Sequence, residues 1–240
     1  MIVLACETST LLGSVALVEN GHVIASEESM RQGSHSEVLN TFIEKTLQKS
    51  AKKLTDIDLF VSSTGPGSFT GIRISVNTIK TLAFCHNKPV LGLSSLQVLA
   101  EQARHAILSN KLENSSVVSM INAYKNMCYV ATYEASKTGL IEIKKPEVVR
   151  VQNLNDYIDK KSVVCGDGFG TYQEFFSSEL KERCLRIENL SDEPHAKTLG
   201  VLASQATLTT QKWNELLPLY LRSSEAEENL QGIKYQALTK

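Results

Sequence analysis

A run of glycines and hydroxyl side chains, Ser62-Ser63-Thr64-Gly65-Pro66-Gly67-Ser68-Phe69-Thr70-Gly71-Ile72-Arg73, is the first candidate for a binding or catalytic turn. Three glycines within seven residues, one of them beside a proline, describe a backbone that turns tightly and takes positive φ before entering a helix. Such a turn leaves backbone N–H groups at a helix N-terminus, which can hold an anion or draw in a neighbouring stretch of backbone. A Walker phosphate loop needs Gly-Lys-Ser/Thr after the glycines, and Gly71 is followed by Ile72-Arg73. A nucleophile elbow needs Gly-x-Ser-x-Gly, and the glycines around Ser68 stand at 67 and 71, out of frame. On chemistry alone the stretch is a structural turn that packs a helix onto a sheet.

Other reactive side chains fall into no constellation. The five histidines, 22, 35, 86, 105 and 195, include no pair at helical metal-ligand spacing, and His35 reads as a cap or a surface residue. The five cysteines, Cys6, Cys85, Cys128, Cys165 and Cys184, are never closer than 19 residues, which fits buried thiols rather than a disulfide framework or a CxxC site. Ser68 has no identifiable base, and Asp56 and Asp58 read as solvated. Gly166-Asp167-Gly168-Phe169-Gly170 lacks the downstream spacing of a dinucleotide fingerprint and reads as a second structural turn. No catalytic residue and no metal site are therefore assigned.

The glycine-rich turn is set between a strand before it, within Ile57 to Val61, and a helix behind it from Thr70 to about Cys85. That helix carries two stripes: Ile72, Val76, Ile79, Leu82 and Ala83, expected on the sheet, and Thr70, Ile74, Thr78, Thr81 and Cys85, small or mildly apolar and expected at an interface. Ile2 to Cys6, Ser14 to Val18 and Val23 to Ala25 read as a three-stranded meander, with Asn20-Gly21 as its hairpin turn. Ser34-His35-Ser36-Glu37 has the form of a capping box for a helix to Ser50, whose Val38, Leu39, Phe42, Ile43 and Leu47 span an arc wider than one buried face requires. Val38 and Phe42 are therefore expected to share the interface with the helix 70–85 stripe.

Pro89 to Leu93 reads as a further strand, followed by a helix through Leu96, Val98, Leu99 and Ala103. The polar stretch around Ser109 to Ser116 is the expected boundary between halves, giving lobes 1–110 and 111–222 and a tail 223–240 that is loosely ordered. The second half repeats the opening pattern: strands Val117 to Ile121, Met127 to Tyr133 and Leu140 to Ile143, then Val163 to Cys165, a helix from Tyr172 to about Leu180 and another over 195–207.

Composition narrows the class. At 240 residues, 42% apolar and 21% charged, the chain can bury a sizeable core. A net charge of −1 supplies no global field toward nucleic acid or an anionic membrane, so a role on RNA would need another component to hold it. Met1 to Val18 lacks a basic n-region and is interrupted by Glu7 to Thr10, unlike a signal peptide, and no apolar window reaches membrane-span length. The expected compartment is the reducing cytoplasm.

The string Gly65-Pro66-Gly67-Ser68-Phe69-Thr70-Gly71-Ile72-Arg73 closely resembles the signature of the TsaB (YeaZ) family, which takes part in making threonylcarbamoyladenosine in tRNA. The resemblance continues in Ile2-Val3-Leu4-Ala5 with Glu7-Thr8-Ser9-Thr10, in His35-Ser36-Glu37 and in Pro218-Leu219-Tyr220-Leu221-Arg222. It implies an α/β fold of the actin-like, DnaK-type (ribonuclease H-like) ATPase class, with two lobes that each hold a mixed sheet flanked by helices. The internal repeat of strands points the same way.

For function, the resemblance implies a non-catalytic partner of a TsaD-like threonylcarbamoyl transferase, with a TsaE-like ATPase as a further member and a homodimer when the partner is absent. Contact with tRNA would be indirect, and ATP or ADP would be bound only in the complex. Two departures stand out. Where actin-like phosphate turns carry an Asp and an early glycine, this chain has Glu7-Thr8-Ser9-Thr10-Leu11-Leu12-Gly13, and where the family has Asp-Ala-Arg it has Asn122-Ala123-Tyr124. The alternatives are a small ATP-dependent phosphotransferase, which the degraded phosphate turn argues against, and a peptidase, which no nucleophile or metal constellation supports.

Overall fold

A computed structural model describes residues 1–30, 35–110, 115–205, 209–223 and 230. Two compact units are present. One comprises Met1–Val98 with Glu193–Leu219, the other Leu99–Asp192 with the described residues from Tyr220 onward.

The first unit is built on a five-stranded sheet: β1 (Ile2–Glu7), β2 (Leu12–Glu19), β3 (His22–Met30), β4 (Leu59–Gly65) and β5 (Val90–Ser94), in the order β3-β2-β1-β4-β5. β1, β2 and β3 form the antiparallel meander, and β4 and β5 add in parallel. Asn20 and Gly21 both take positive φ, 51° and 82°, as a two-residue hairpin of the favoured hand requires. Strand side chains alternate between faces, and here both faces are buried, so β1 reads as an unbroken apolar run. Leu4, Cys6, Leu17 and Phe60 meet α1 (Leu39–Ser50) and α2 (Phe69–His86) through Leu39, Ile43, Ile72, Val76 and Ile79. Val3, Ala5, Val18 and Val61 meet α6 (Ala196–Ala203) through Leu199 and Leu202 on the other side.

The second unit repeats this topology. β6 (Ser115–Asn122), β7 (Met127–Ser136) and β8 (Gly139–Arg150) are an antiparallel meander, β9 (Ser162–Cys165) pairs in parallel with β6, and β10 (Cys184–Leu185) in parallel with β9. The order β8-β7-β6-β9-β10 therefore matches β3-β2-β1-β4-β5 strand for strand. Its core gathers Val118, Met120, Val130 and Val164 around Leu154, Ile158, Phe176 and Leu180. α3 (Ser95–Ser109) carries the division between units at Val98 and Leu99.

Four sequence expectations are corrected. The helix read from His35 to Ser50 is a 3₁₀ turn, His35–Glu37, followed by α1 from Leu39. Its start at Val38 has no side-chain cap among the described residues, and Ser34, the expected cap, lies outside them. The helix read over 172–180 is broken. α4 (Asp167–Tyr172) passes through a 3₁₀ turn to Phe176, whose extended backbone drops its ring into the core, and Ser177 Oγ then caps α5 (Ser178–Arg183) by accepting from the Leu180 amide at 3.2 Å.

The helix read over 195–207 ends at Ala203, and residues 206–208 lie outside the described set. It also belongs to the first unit and not to a lobe running 111–222. The Ala196 amide donates to Ser14 Oγ at 3.0 Å, and Gly200 lets the helix settle on β2, since a Cβ there would stand 2.7 Å from Val18. The tail expectation falls, apart from Ser223 and Leu230, outside the described residues.

Candidate functional site

The glycine-rich stretch proves to be a joint between two backbones. β4 ends at Gly65 (φ 99°), the Gly65–Pro66 peptide is cis, and Ser68 starts α2 with its hydroxyl accepting from the Gly71 amide at 3.3 Å. The Ser68 amide donates to the Ser9 carbonyl at 2.7 Å, and Thr8 Oγ1 donates to the Gly71 carbonyl at 2.7 Å. The glycines make this approach possible. A Cβ on Gly67 would lie 2.2 Å from the Ser9 carbonyl oxygen, and one on Gly71 would lie 1.9 Å from that of Thr8. Of the two ligands such a turn can hold, an anion or a backbone, it holds backbone.

The turn that fills the joint, Glu7 to Thr10, is itself buried. Glu7 accepts from the Ser9 amide at 2.7 Å and from Ser95 Oγ at 3.4 Å. Burial pushes its carboxyl up from the ordinary 4.5, and these hydrogen bonds pull it part of the way back. His35, read from sequence as a cap or surface residue, is buried, with Nε2 at 2.9 Å from the Thr10 carbonyl. Its ring lies over Gly13, where a Cβ would come to 2.6 Å from Nδ1. His35 is thus a wedge behind the β1–β2 turn. Sequence carries no signal for it, because its partner stands 25 residues away.

Two further threads of the family resemblance meet the described residues. The Leu219 amide donates to the Thr64 carbonyl at 2.8 Å, which ties Pro218-Leu219 to the end of β4. In the second unit, Arg222 donates to the Ala123 carbonyl. Asn122 is an internal hub: its Oδ1 accepts from the Tyr124 amide at 2.8 Å and from Tyr172 Oη at 3.0 Å, while its backbone N–H donates to Asp167 Oδ1 at 2.9 Å. Tyr124, Lys125 and Asn126 follow with φ of 57°, 50° and 63°. Gly166 (φ 104°) is structural, since a Cβ there would lie 2.0 Å from the Met120 carbonyl oxygen.

The expected partner-facing stripe divides by burial. Thr70, Thr81 and Cys85 are exposed, and Ile74, Thr78 and Val38 are half-buried. Val38 and Ile74 also pack against the core. Phe42 is corrected: at 9% exposure it belongs to that core, because α1 lies on β2 and β3 and turns Phe42 toward them. The arc that looked too wide for one face is largely absorbed by the sheet. A groove of about 390 Å³ remains, with Ser36 and Asn40 on one wall and Thr70, Arg73, Ile74 and Asn77 on the other. It is more polar than the stripe suggested, and Arg73 lies over the Phe69 ring at 4.7 Å.

The thiol expectation holds for Cys6, Cys128 and Cys165, which are buried, whereas Cys184 is half-buried and Cys85 exposed. Among the described residues no three His, Cys, Asp or Glu side chains group as metal ligands, and no helix is long and apolar enough to cross a membrane.

Residues 23–230 match the family profile described as TsaD: tRNA N6-adenosine threonylcarbamoyltransferase. The Escherichia coli tRNA threonylcarbamoyladenosine biosynthesis protein TsaB is 32% identical over 163 residues, 65% of this chain and 68% of that protein. Its Bacillus subtilis counterpart is 27% identical over 235 residues, 95% of this chain and 96% of that one. The solved structure of YeaZ from Pseudomonas aeruginosa superposes with a TM-score of 0.78 at 26% identity, covering 92% of this chain and 99% of that one. Two units of one topology, each a mixed sheet flanked by helices, define an actin-like, ribonuclease H-like α/β protein. The chain belongs to the TsaB (YeaZ) family.

Proposed function

We propose that this chain takes part in forming N6-threonylcarbamoyladenosine in tRNA as the non-catalytic partner of a TsaD-like transferase. The observation that carries the reading is the joint. The turn that corresponds to the actin-like phosphate clamp, Glu7 to Gly13, is instead closed against the glycine-rich turn: the Ser9 carbonyl accepts from the Ser68 amide, and Gly71 lies against Thr8. What remains available is a surface: the exposed and half-buried residues Thr70, Ile74, Thr78, Thr81 and Cys85 of α2, together with half-buried Val38 before α1. A helix-on-helix patch there can reach the standard size of roughly 800 Å² per partner.

The transferase docks on that face, which pairs two copies of this chain when the transferase is absent. A TsaE-like ATPase joins the same complex in the cytoplasm, ATP or ADP is bound only within it, and this chain has no cofactor of its own. The test is co-purification of the chain with the TsaD-like protein of the same source, alongside an ATPase assay of the chain alone. A stable complex and background hydrolysis are expected. Failure to associate, or turnover by the isolated chain in the usual enzyme range of about 1 to 1,000 per second, overturns the reading.

A further inference from the structure

We propose that the groove between the C-terminal end of α2 and the 3₁₀ turn Trp213–Glu215 is a binding site for single-stranded RNA, in which an unpaired base stacks on Trp213 and flanking phosphates meet Lys88 and Lys212. The choice of RNA as ligand rests on the reading above; the site lies apart from the joint and borders the C-terminal end of the α2 stripe, where Phe84 stands beside Cys85 and one turn beyond Thr81.

The groove encloses about 540 Å³, and Asn87, Lys88, Gln211, Lys212, Trp213 and Glu215 are among its lining residues. Trp213 meets Phe84 edge to face, with centroids 5.1 Å apart and planes at 66°. Both rings nonetheless stay in solvent, Phe84 at 62% and Trp213 at 40% exposure. Two adjacent aromatic side chains left this open mark a contact surface and not a core.

The platform is held from below. Val90 and Gln211 exchange backbone hydrogen bonds at 3.0 and 2.9 Å, and Asn87 ends α2 in the left-handed conformation (φ 49°). The Lys88 amide then returns to the Ala83 carbonyl at 3.0 Å. These contacts use main chain, which leaves the Asn87 and Gln211 amides to meet base edges. Among the described residues neither Lys88 nor Lys212 is ion-paired. The one acid of the lining, Glu215, accepts from the Lys212 backbone amide at 3.0 Å.

An open indole beside two ammonium groups is the composition of a stacking platform for a single strand, because every base offers a π face and every linkage a phosphate. An acidic peptide would answer the lysines and leave the rings uncovered. With a net charge of −1 on the chain and two phosphate contacts, binding is weak in isolation and adds to whatever the complex supplies.

Trp213 is the only tryptophan in the chain, so its fluorescence reports this groove alone. The full chain is titrated with a single-stranded oligoadenylate, with AMP and a glutamate-rich peptide as comparisons, and anisotropy of labelled oligoadenylate gives the affinity of variants lacking the indole. Saturable quenching by the oligonucleotide is expected, with log K falling against log salt at a slope of about −1.4, or 0.7 for each of two phosphates. Lys88→Ala with Lys212→Ala should flatten that slope, and Trp213→Ala should weaken the anisotropy titration about tenfold, as loss of one stacked base does.

Absence of quenching, an unchanged slope in the lysine variant, or equal quenching by AMP or by the acidic peptide overturns the assignment. Reconstituted nucleoside formation separates the two claims. If wild-type chain supports it but the oligonucleotide does not bind, the groove falls alone, whereas if wild-type chain does not support it, the functional reading falls with it.

Discussion

Gly71 and Thr8 stand so close that a single carbon added to the first would lie 1.9 Å from the carbonyl oxygen of the second, while the Thr8 hydroxyl donates back to the Gly71 carbonyl at 2.7 Å. The first turn of α2 is thereby fastened to the turn after β1. Gly71→Ala must push these backbones apart, and it should cost roughly 2–4 kcal/mol, in the range of a strained or overpacked site. Thermal unfolding should show a midpoint lower by several degrees for a chain of this size, and an unchanged midpoint would mean that the two turns are not fastened there.

A second consequence concerns pH. Glu7 is buried and its carboxyl titrates above the ordinary 4.5, so the folded chain holds this proton more tightly than the unfolded chain does. That contribution is complete below the unfolded value and is lost as pH rises through the folded one. Glu7→Gln cannot ionise, so its stability relative to wild type should improve steadily as pH rises from the ordinary glutamate value. Urea midpoints at about pH 5 and about pH 8 measure this, and a gap that moves the other way means that Glu7 is charged in the folded state.

The cysteines make a third test. Burial pushes the thiols of Cys6 and Cys128 up, that of Cys165 up to about 12, and that of Cys184, which donates to the Leu180 carbonyl at 3.2 Å, up to about 11. Cys85 is exposed. Alkylation of the native chain near neutral pH should give one fast adduct, at Cys85, with the other four reacting after denaturation. Peptide mass spectrometry checks this. Fast modification of Cys6 or Cys165 would contradict the burial on which the first and the second unit, respectively, are built.

The interface on α2 is tested best at its exposed positions. Thr81→Arg places a charge at an exposed position and gives up only the Thr81 hydroxyl's bond to the Asn77 carbonyl within α2, so the melting temperature should hold while association with the TsaD-like partner weakens by about 2 kcal/mol or more, as at an interface hot spot. Ile74→Arg should weaken association too, but Ile74 also packs against the core, so it should lower the melting temperature as well. Titration calorimetry with the partner separates the two, and full affinity in both variants would move the interface elsewhere.

How much of this was legible in the sequence varies with the range of the contact that decides it. Asn20-Gly21 announces its hairpin because the information is two residues long, and the stripe Ile72, Val76, Ile79 announces the buried face of α2 because it repeats at helical period. The tight glycine turn was readable, but whether it held an anion or a backbone was not, since Thr8 stands 63 residues before Gly71. Sequence separation also hid His35, whose partner stands 25 residues away, and Phe42. Neither residue type says that Thr10 or β2 will cover it. The placement of α6 was hidden most thoroughly, because its anchor joins Ala196 to Ser14 across 182 residues. Ser177 could have been recognised as a helix cap, which would have split the helix read over 172–180.

The partner role is decided by the threonylcarbamoyladenosine formed per tRNA by the reconstituted TsaD-like transferase and its ATPase, with and without this chain. Substantial product should appear only when the chain is present, Thr81→Arg should remove most of it, and the chain without the transferase should form none. Product formation undiminished when the chain is left out, or formed by the chain with tRNA and substrates alone, would contradict it.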